Sequence, residues 1–134
     1  MAVIREEKRP IASGEDVVTV RRIVREWSVA AGFGLVDQTK IVTAASELAR
    51  NVLHHGGGGV MCIQSLNDDV RRGLRLTFED EGPGIADIAL ALKDGYTTGN
   101  GLGLGLGGAR RLSDEFAVDS QPGRGTRVTI ARWK

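Results

Sequence analysis

The order of apolar patterns along this chain predicts an α+β fold, a two-layer α/β sandwich with its helices gathered apart from its strands. Three observations carry that expectation. Two long stretches of helical period fall together in the first half of the chain. Stretches of strand period follow in hairpin-like pairs. Alternating strand–helix units, which would mark a doubly wound parallel sheet, are missing.

Residues 2–11 are expected as an edge strand. Ser13 or Gly14 can cap a first helix, with Glu15 and Asp16 in its first turn. Val17, Val20, Val24 and Trp27 keep a helical period with Ile23 beside them, so Trp27 is expected in the core. Gly32 and Gly34 end this helix. A second helix is expected over about 36–54, with Ile41, Ala45, Leu48 and Val52 as its apolar stripe. Two strands follow at about 60–66 and 74–80. In the second, Leu74, Leu76 and Phe78 alternate with Arg75, Thr77 and Glu79, the pattern of a half-buried strand. A short helix over 85–92, a glycine-rich loop over 95–108 and a short helix to about 114 come next. A hairpin closes the chain, 116–120 against 126–132, with Pro122-Gly123 at the centre of a type II turn.

The 134 residues are expected to form one domain, 1–134, with apolar and charged fractions of 41% and 26% typical of a soluble protein. Eighteen basic residues balance seventeen acidic ones, which gives no electrostatic case for nucleic acid or an anionic membrane as partner. No apolar run reaches membrane-spanning length, and residues 1–9 lack the apolar core of a signal peptide. Cys62 is the only cysteine, which excludes a disulfide scaffold or a cysteine-based zinc site. The expected location is the cytoplasm.

The run Asn100-Gly101-Leu102-Gly103-Leu104-Gly105-Leu106-Gly107-Gly108 carries the most chemistry. A glycine loop that enters a helix offers free N–H groups at the positive end of the helix dipole, a phosphate site. No lysine follows, so it is not a Walker A loop. The letters G-x-G-x-x-G occur, but no strand precedes them and the acid a dinucleotide site needs is out of place. The protein-kinase motifs that accompany another glycine loop are absent. Elsewhere, period 2 puts Asp80 on the face of Leu74, Leu76 and Phe78. It is either a carboxylate aimed inward or the opening of the turn Glu81-Gly82-Pro83-Gly84. Thr126 shares its face with Val128 and Ile130. An inward acid and hydroxyl together can read a polar edge such as an adenine amino group. Glu47 and Asn51 lie four apart, beside the apolar stripe of the second helix, while Ser46 and Arg50 fall on its far, solvated side.

Together these residues resemble the GHKL ATPase superfamily of gyrase, Hsp90, histidine kinases and MutL-type ATPases. Glu47-Leu48-Ala49-Arg50-Asn51 matches the N box and Asp80-Glu81-Gly82-Pro83-Gly84-Ile85 the G1 box. Gly101-Leu102-Gly103-Leu104-Gly105 matches the G2 box, and Gly125-Thr126 the late threonine motif. Each is weak alone; four in order are specific. Within the superfamily the chain is most similar to small bacterial serine/threonine kinases of anti-sigma pathways, the RsbT-like switch kinases of the stressosome. That likeness rests on Ser46 to Asn51, on Gly32-Phe33-Gly34 with Asp37-Gln38, and on Arg111-Leu112-Ser113-Asp114-Glu115-Phe116.

The resemblance implies the Bergerat fold, a mixed, mostly antiparallel sheet covered on one face by helices, with ATP and Mg²⁺ as cofactors. It implies that Asp80 accepts from the adenine amino group, supported by Thr126 through water, with Gly82 and Gly84 shaping the turn. Asn51 ligates Mg²⁺, Gly101, Leu102, Gly103, Leu104 and Gly105 wrap the phosphates under a lid at 95–100, and Glu47 takes the proton of the attacking hydroxyl. The lid departs from the pattern, being short with Lys93 alone just before it. No phospho-acceptor histidine region is seen, so autophosphorylation is not expected. The implied function is phosphorylation of a STAS-domain protein, after which the kinase binds a regulatory phosphatase. The alternative is a nucleotide-dependent anti-sigma factor that sequesters a sigma factor. An ATP-hydrolysing clamp would need a further domain to transmit closure.

Overall fold

The computed structural model describes residues 2–85, 88–92 and 106–134. Its elements are β1 (Ala2–Ile11), α1 (Gly14–Ala30), α2 (Leu35–His54), β2 (Gly59–Asn67) and β3 (Arg72–Asp80), then α3 (Ile88–Ala91), α4 (Leu106–Arg111), β4 (Glu115–Ser120) and β5 (Thr126–Trp133). The five strands form one sheet in the order β1-β2-β3-β5-β4. The α+β sandwich is as expected, with β1 at the sheet edge.

The sheet departs from the expectation in one respect: all four described ladders are antiparallel rather than mixed. The connections explain it. β2–β3 and β4–β5 are hairpins. Between β1 and β2, the pair α1–α2 returns the chain to the end of the sheet it left, so Ile11 faces Gly59. A double-helix return of this kind reverses strand direction, whereas a single crossover helix would preserve it.

Local sequence explains the helix starts. Ser13 caps α1, its Oγ accepting from the Asp16 N–H at 3.3 Å, while the Asp16 carboxylate accepts from the Ala12 N–H at 2.8 Å. Each side chain thus satisfies a backbone donor of the helix entry. Arg5 of β1 lays its guanidinium over the Trp27 ring of α1 at 4.0 Å, while the ring itself is buried as expected.

The sheet buries one face against α1 and α2. Successive rows across β2, β3 and β5 read Ile63–Leu76–Ile130 and Met61–Phe78–Val128. All six are 4% exposed or less. They meet Val20, Val24 and Trp27 of α1 and Ile41, Ala45, Leu48 and Val52 of α2 in one cluster. Leu106 and Ala109 of α4 join that cluster, so the end of the glycine run is helical and anchored.

Ser46 does not lie where the helical wheel places it. It is only 6% exposed, and its Oγ has no hydrogen-bond partner among the described residues. The expectation treats the sheet as the sole cover of α2. Ser46 lies one turn after Val42, which lines the groove against α1, so α1 covers that flank as well. The buried arc of α2 therefore spans about 200° at 100° per residue, wider than a single apolar stripe.

Phe78 sits at the centre of the sheet, 1% exposed. Phe78→Ala is expected to lower the free energy of unfolding by about 3–5 kcal/mol, read by urea denaturation.

Candidate active site

The row after Met61–Phe78–Val128 changes character. It reads Gly59, Asp80, Thr126 and Ser120 across β2, β3, β5 and β4. All four lie on the inward face, because each is two residues from an inward apolar neighbour. The strand parity that buries Phe78 and Val128 therefore carries a carboxylate and two hydroxyls in below the end of α2. The inward reading of Asp80 holds. It also opens the turn, since the Gly82 N–H donates to its Oδ1 at 2.9 Å.

The chain leaving α2 packs directly on this carboxylate. A Cβ at Gly56 would overlap the Asp80 side chain, and one at Gly82 would overlap the Gly56 backbone. Both positions need the absence of a side chain for packing, not for an unusual backbone. Gly84 has both requirements: its φ of +76° lies in the left-handed region, and a Cβ there would overlap the Gln121 carbonyl. Desolvation under this cover raises the Asp80 carboxyl above the ordinary aspartate range, while the Gly82 and Thr126 N–H groups and nearby His55 pull the other way. Burial likewise lowers the His55 pKa below its usual value, with His54 adding to that and Asp80 opposing.

Ser120 is a member of this site that sequence reading missed. Its Oγ accepts from the Ile85 N–H at 2.8 Å, donates to the Gly125 carbonyl at 2.9 Å, and lies 2.9 Å from Thr126 Oγ1. It joins the loop after β3 to the hairpin of β4 and β5. The hairpin tip has the expected turn, with Gly123 at φ +78° and the Arg124 N–H donating to the Gln121 carbonyl at 3.0 Å. A cavity of about 400 Å³ opens at this end of the sheet. Inward Asp80, Ser120 and Thr126 line it together with outward Glu79 and Arg127, so it wraps around the sheet edge.

Along α2, Glu47, Asn51 and His55 recur at four-residue spacing and so share one flank. Asn51 is partly buried, and its Nδ2 has no hydrogen-bond partner among the described residues. His55 Nε2 is in the same condition. Glu47 is 40% exposed and pairs with Arg50 at 2.8 Å. The structure thus brings Asp80, Gly82, Gly84 and Thr126 together at the sheet end, with Asn51 and Glu47 successively farther up the helix. Gly101, Leu102, Gly103, Leu104 and Gly105, the proposed lid and Lys93 lie outside the described residues. His55 and Gly56 were legible only as a helix end and a glycine stop.

This fold, with an inward aspartate at one sheet end beside a polar helix flank, defines a nucleotide-binding ATPase class. Residues 36–134 match the family model described as histidine kinase-, DNA gyrase B- and HSP90-like ATPase, and the chain belongs to that family. The chain is 44% identical to the serine/threonine-protein kinase RsbT of Bacillus subtilis (strain 168) over 118 residues, covering 88% of this chain and 89% of that protein. It is 34% identical to the anti-sigma F factor of Thermoanaerobacter sp. (strain X514), covering 84% of this chain and 82% of the relative. Among solved structures, a chain of the SiaB–SiaC complex from Pseudomonas aeruginosa superposes with a TM-score of 0.56 at 18% identity, covering 98% of this chain and 91% of that one. At that identity the likeness is one of fold. No helix among the described residues is long and apolar enough to cross a membrane.

Asp80→Asn isolates the cost of the inward charge. The raised carboxyl pKa means the folded state holds the proton more tightly than the unfolded state. Stability therefore falls as pH rises from the ordinary aspartate range through the raised value. The Asn variant lacks this loss, so its stability relative to wild type is expected to be higher at neutral pH than at acid pH. Denaturant titrations at a series of pH values check the sign.

Proposed function

We propose that this chain is an ATP-dependent serine/threonine protein kinase of a bacterial partner-switching pathway. It takes the terminal phosphoryl group from ATP and transfers it to a hydroxyl of a STAS-domain protein. The observation that carries the nucleotide reading is Asp80: a partly desolvated carboxylate, fixed inward by strand parity and by the Gly82 N–H. A carboxylate accepts only, which suits the amino edge of adenine, with Thr126 beside it. The likeness to RsbT across 88% of the chain supports the kinase reading.

The α2 flank supplies the remaining groups. The Asn51 amide oxygen is a hard ligand of the kind Mg²⁺ prefers, and the amide is not tied down through its nitrogen by any of the described residues. Bound Mg²⁺ would neutralise charge on the phosphates. Glu47, two turns from the buried end of the helix, takes the proton from the attacking hydroxyl. Its exposure admits a hydroxyl carried on another protein. Its ion pair with Arg50 is no obstacle, because exposed pairs are worth about 0–1 kcal/mol and yield readily to a substrate. Gly82 and Gly84 shape the turn under the base, and Gly101, Leu102, Gly103, Leu104 and Gly105 enclose the phosphates.

In this reading phosphorylation ends the hold on the STAS-domain protein, and the released kinase engages a regulatory phosphatase in the cytoplasm. The 34% likeness to an anti-sigma F factor favours a second reading, in which the nucleotide-bound protein sequesters a sigma factor. Incubation with labelled Mg·ATP and candidate STAS-domain proteins tests the first reading. Label on a serine or threonine of one of them supports it. A stable complex with a sigma factor and no label on any STAS-domain protein selects the second.

Glu47→Gln is expected to slow phosphoryl transfer by about 10²- to 10⁴-fold, with the dissociation constant for ADP unchanged. Transfer at the wild-type rate removes Glu47 from the chemistry. Gly56→Ala is expected to weaken ADP binding at least tenfold by displacing the Asp80 carboxylate, measured by calorimetry.

A further inference from the structure

The hydrogen bonds around Ser120 determine which way the Thr126 hydroxyl points. A serine hydroxyl has one proton to donate and two lone pairs that accept. The Gly125 carbonyl can only accept, so at 2.9 Å it takes the Ser120 proton. The Ile85 N–H can only donate, so at 2.8 Å it occupies one Ser120 lone pair. The remaining partner is Thr126 Oγ1 at 2.9 Å, and the only capacity left on Ser120 is a lone pair. Thr126 must therefore donate to Ser120. Its proton is committed to Ser120, and to a ligand its oxygen offers lone pairs alone.

We propose that Ser120 is a positioning residue that sets purine specificity by making the Asp80–Thr126 pair acceptor-only. This rests on the reading of Asp80 and Thr126 as the base-recognition pair. The Asp80 carboxylate also accepts only, so the two residues together present no donor. A water held between them gives both its protons to them and turns its own lone pairs outward. Directly or through water, the site then welcomes a donor at position 6 of a purine. Adenine carries an amino group there. Hypoxanthine and guanine carry a carbonyl oxygen, which would face lone pairs. Ser120 reaches this position from β4, a different strand from either residue it serves.

Inosine diphosphate probes the effect: it exchanges the amino donor at position 6 for a carbonyl and lacks the extra amino group of GDP, while its N1–H, a donor where adenine has an acceptor, works against the expected preference. Calorimetric dissociation constants for ADP and inosine diphosphate give a ratio for each variant. In wild type, ADP is expected to bind at least tenfold more tightly. Ser120→Ala frees the Thr126 hydroxyl to rotate and donate, so the ratio is expected to shrink by about tenfold, mainly through tighter inosine diphosphate binding. Ser120→Thr keeps a hydroxyl in place and is expected to restore the wild-type ratio. A merely structural role would weaken both ligands together and leave the ratio alone. Thr126→Val keeps a β-branched side chain in the strand while removing the opposing oxygen, so it too is expected to narrow the gap even if Ser120→Ala does not fold. An unchanged ratio in either soluble variant overturns the role of Ser120, as does equal binding of the two ligands by wild type. Both results leave the nucleotide site standing. Failure of wild type to bind ADP at all overturns the site itself.

Discussion

The contact on which this site depends is that between the turn after α2 and the end of β3. Gly56 lies against the Asp80 side chain, and Gly82 lies against Gly56. With no side chains between them, the end of the helix settles onto the last inward position of the strand. That approach brings the Asn51 flank of α2 to the same end of the sheet as Thr126 and Ser120. A methyl group at either glycine would drive helix and strand apart at the one place where their polar groups must converge. The apolar rows beneath make this approach rigid, because Phe78 and Val128 immediately precede Asp80 and Thr126 on the inward face.

The same packing has a cost that the site converts to use. A carboxylate taken partly out of water is less stable charged, which is why the Asp80 pKa is raised. The Gly82 N–H offsets part of that cost without consuming the carboxylate, which retains free lone pairs. Replacement by an apolar residue of similar size would relieve the fold while emptying the site of its acceptor. Such local conflict between packing and polarity is expected where a protein recognises something other than itself. His55 and Asn51 show the conflict in a second form, as buried polar atoms with no partner among the described residues.

Legibility in the sequence followed periodicity. Period 2 in β3 and β5 placed Asp80 and Thr126 inward because neighbouring leucines, Phe78, Val128 and Ile130 made the parity plain. Period 3.6 put Glu47 and Asn51 beside the apolar stripe of α2. What periodicity within one element cannot report is what a neighbouring element does. Ser46 was placed in solvent because nothing in its own helix indicates that α1 covers that flank. Ser120 ends a short strand in ordinary turn company, and its row becomes known only through the β4–β5 register that sets it opposite Thr126. Gly56 stands in a run of four glycines whose common feature is stopping a helix. The structure alone tells the four apart: Gly57 and Gly58 adopt positive φ, Gly59 lies against the Glu79 carbonyl, and Gly56 lies against Asp80.

These cases point to a division of labour along α2. Its sheet-facing side is fixed by the core and its α1 flank by helix packing, which leaves one strip of surface for chemistry. That strip changes character along its length. Near the glycines it is covered and holds Asn51 and His55, where desolvation favours selective contacts with a bound small molecule. A turn or more earlier it emerges into solvent at Glu47. The proposed function, with a nucleotide enclosed at one end and a second protein met at the other, calls for this gradient. Here a single helix supplies it, running from the covered end at Asn51 to the exposed Glu47.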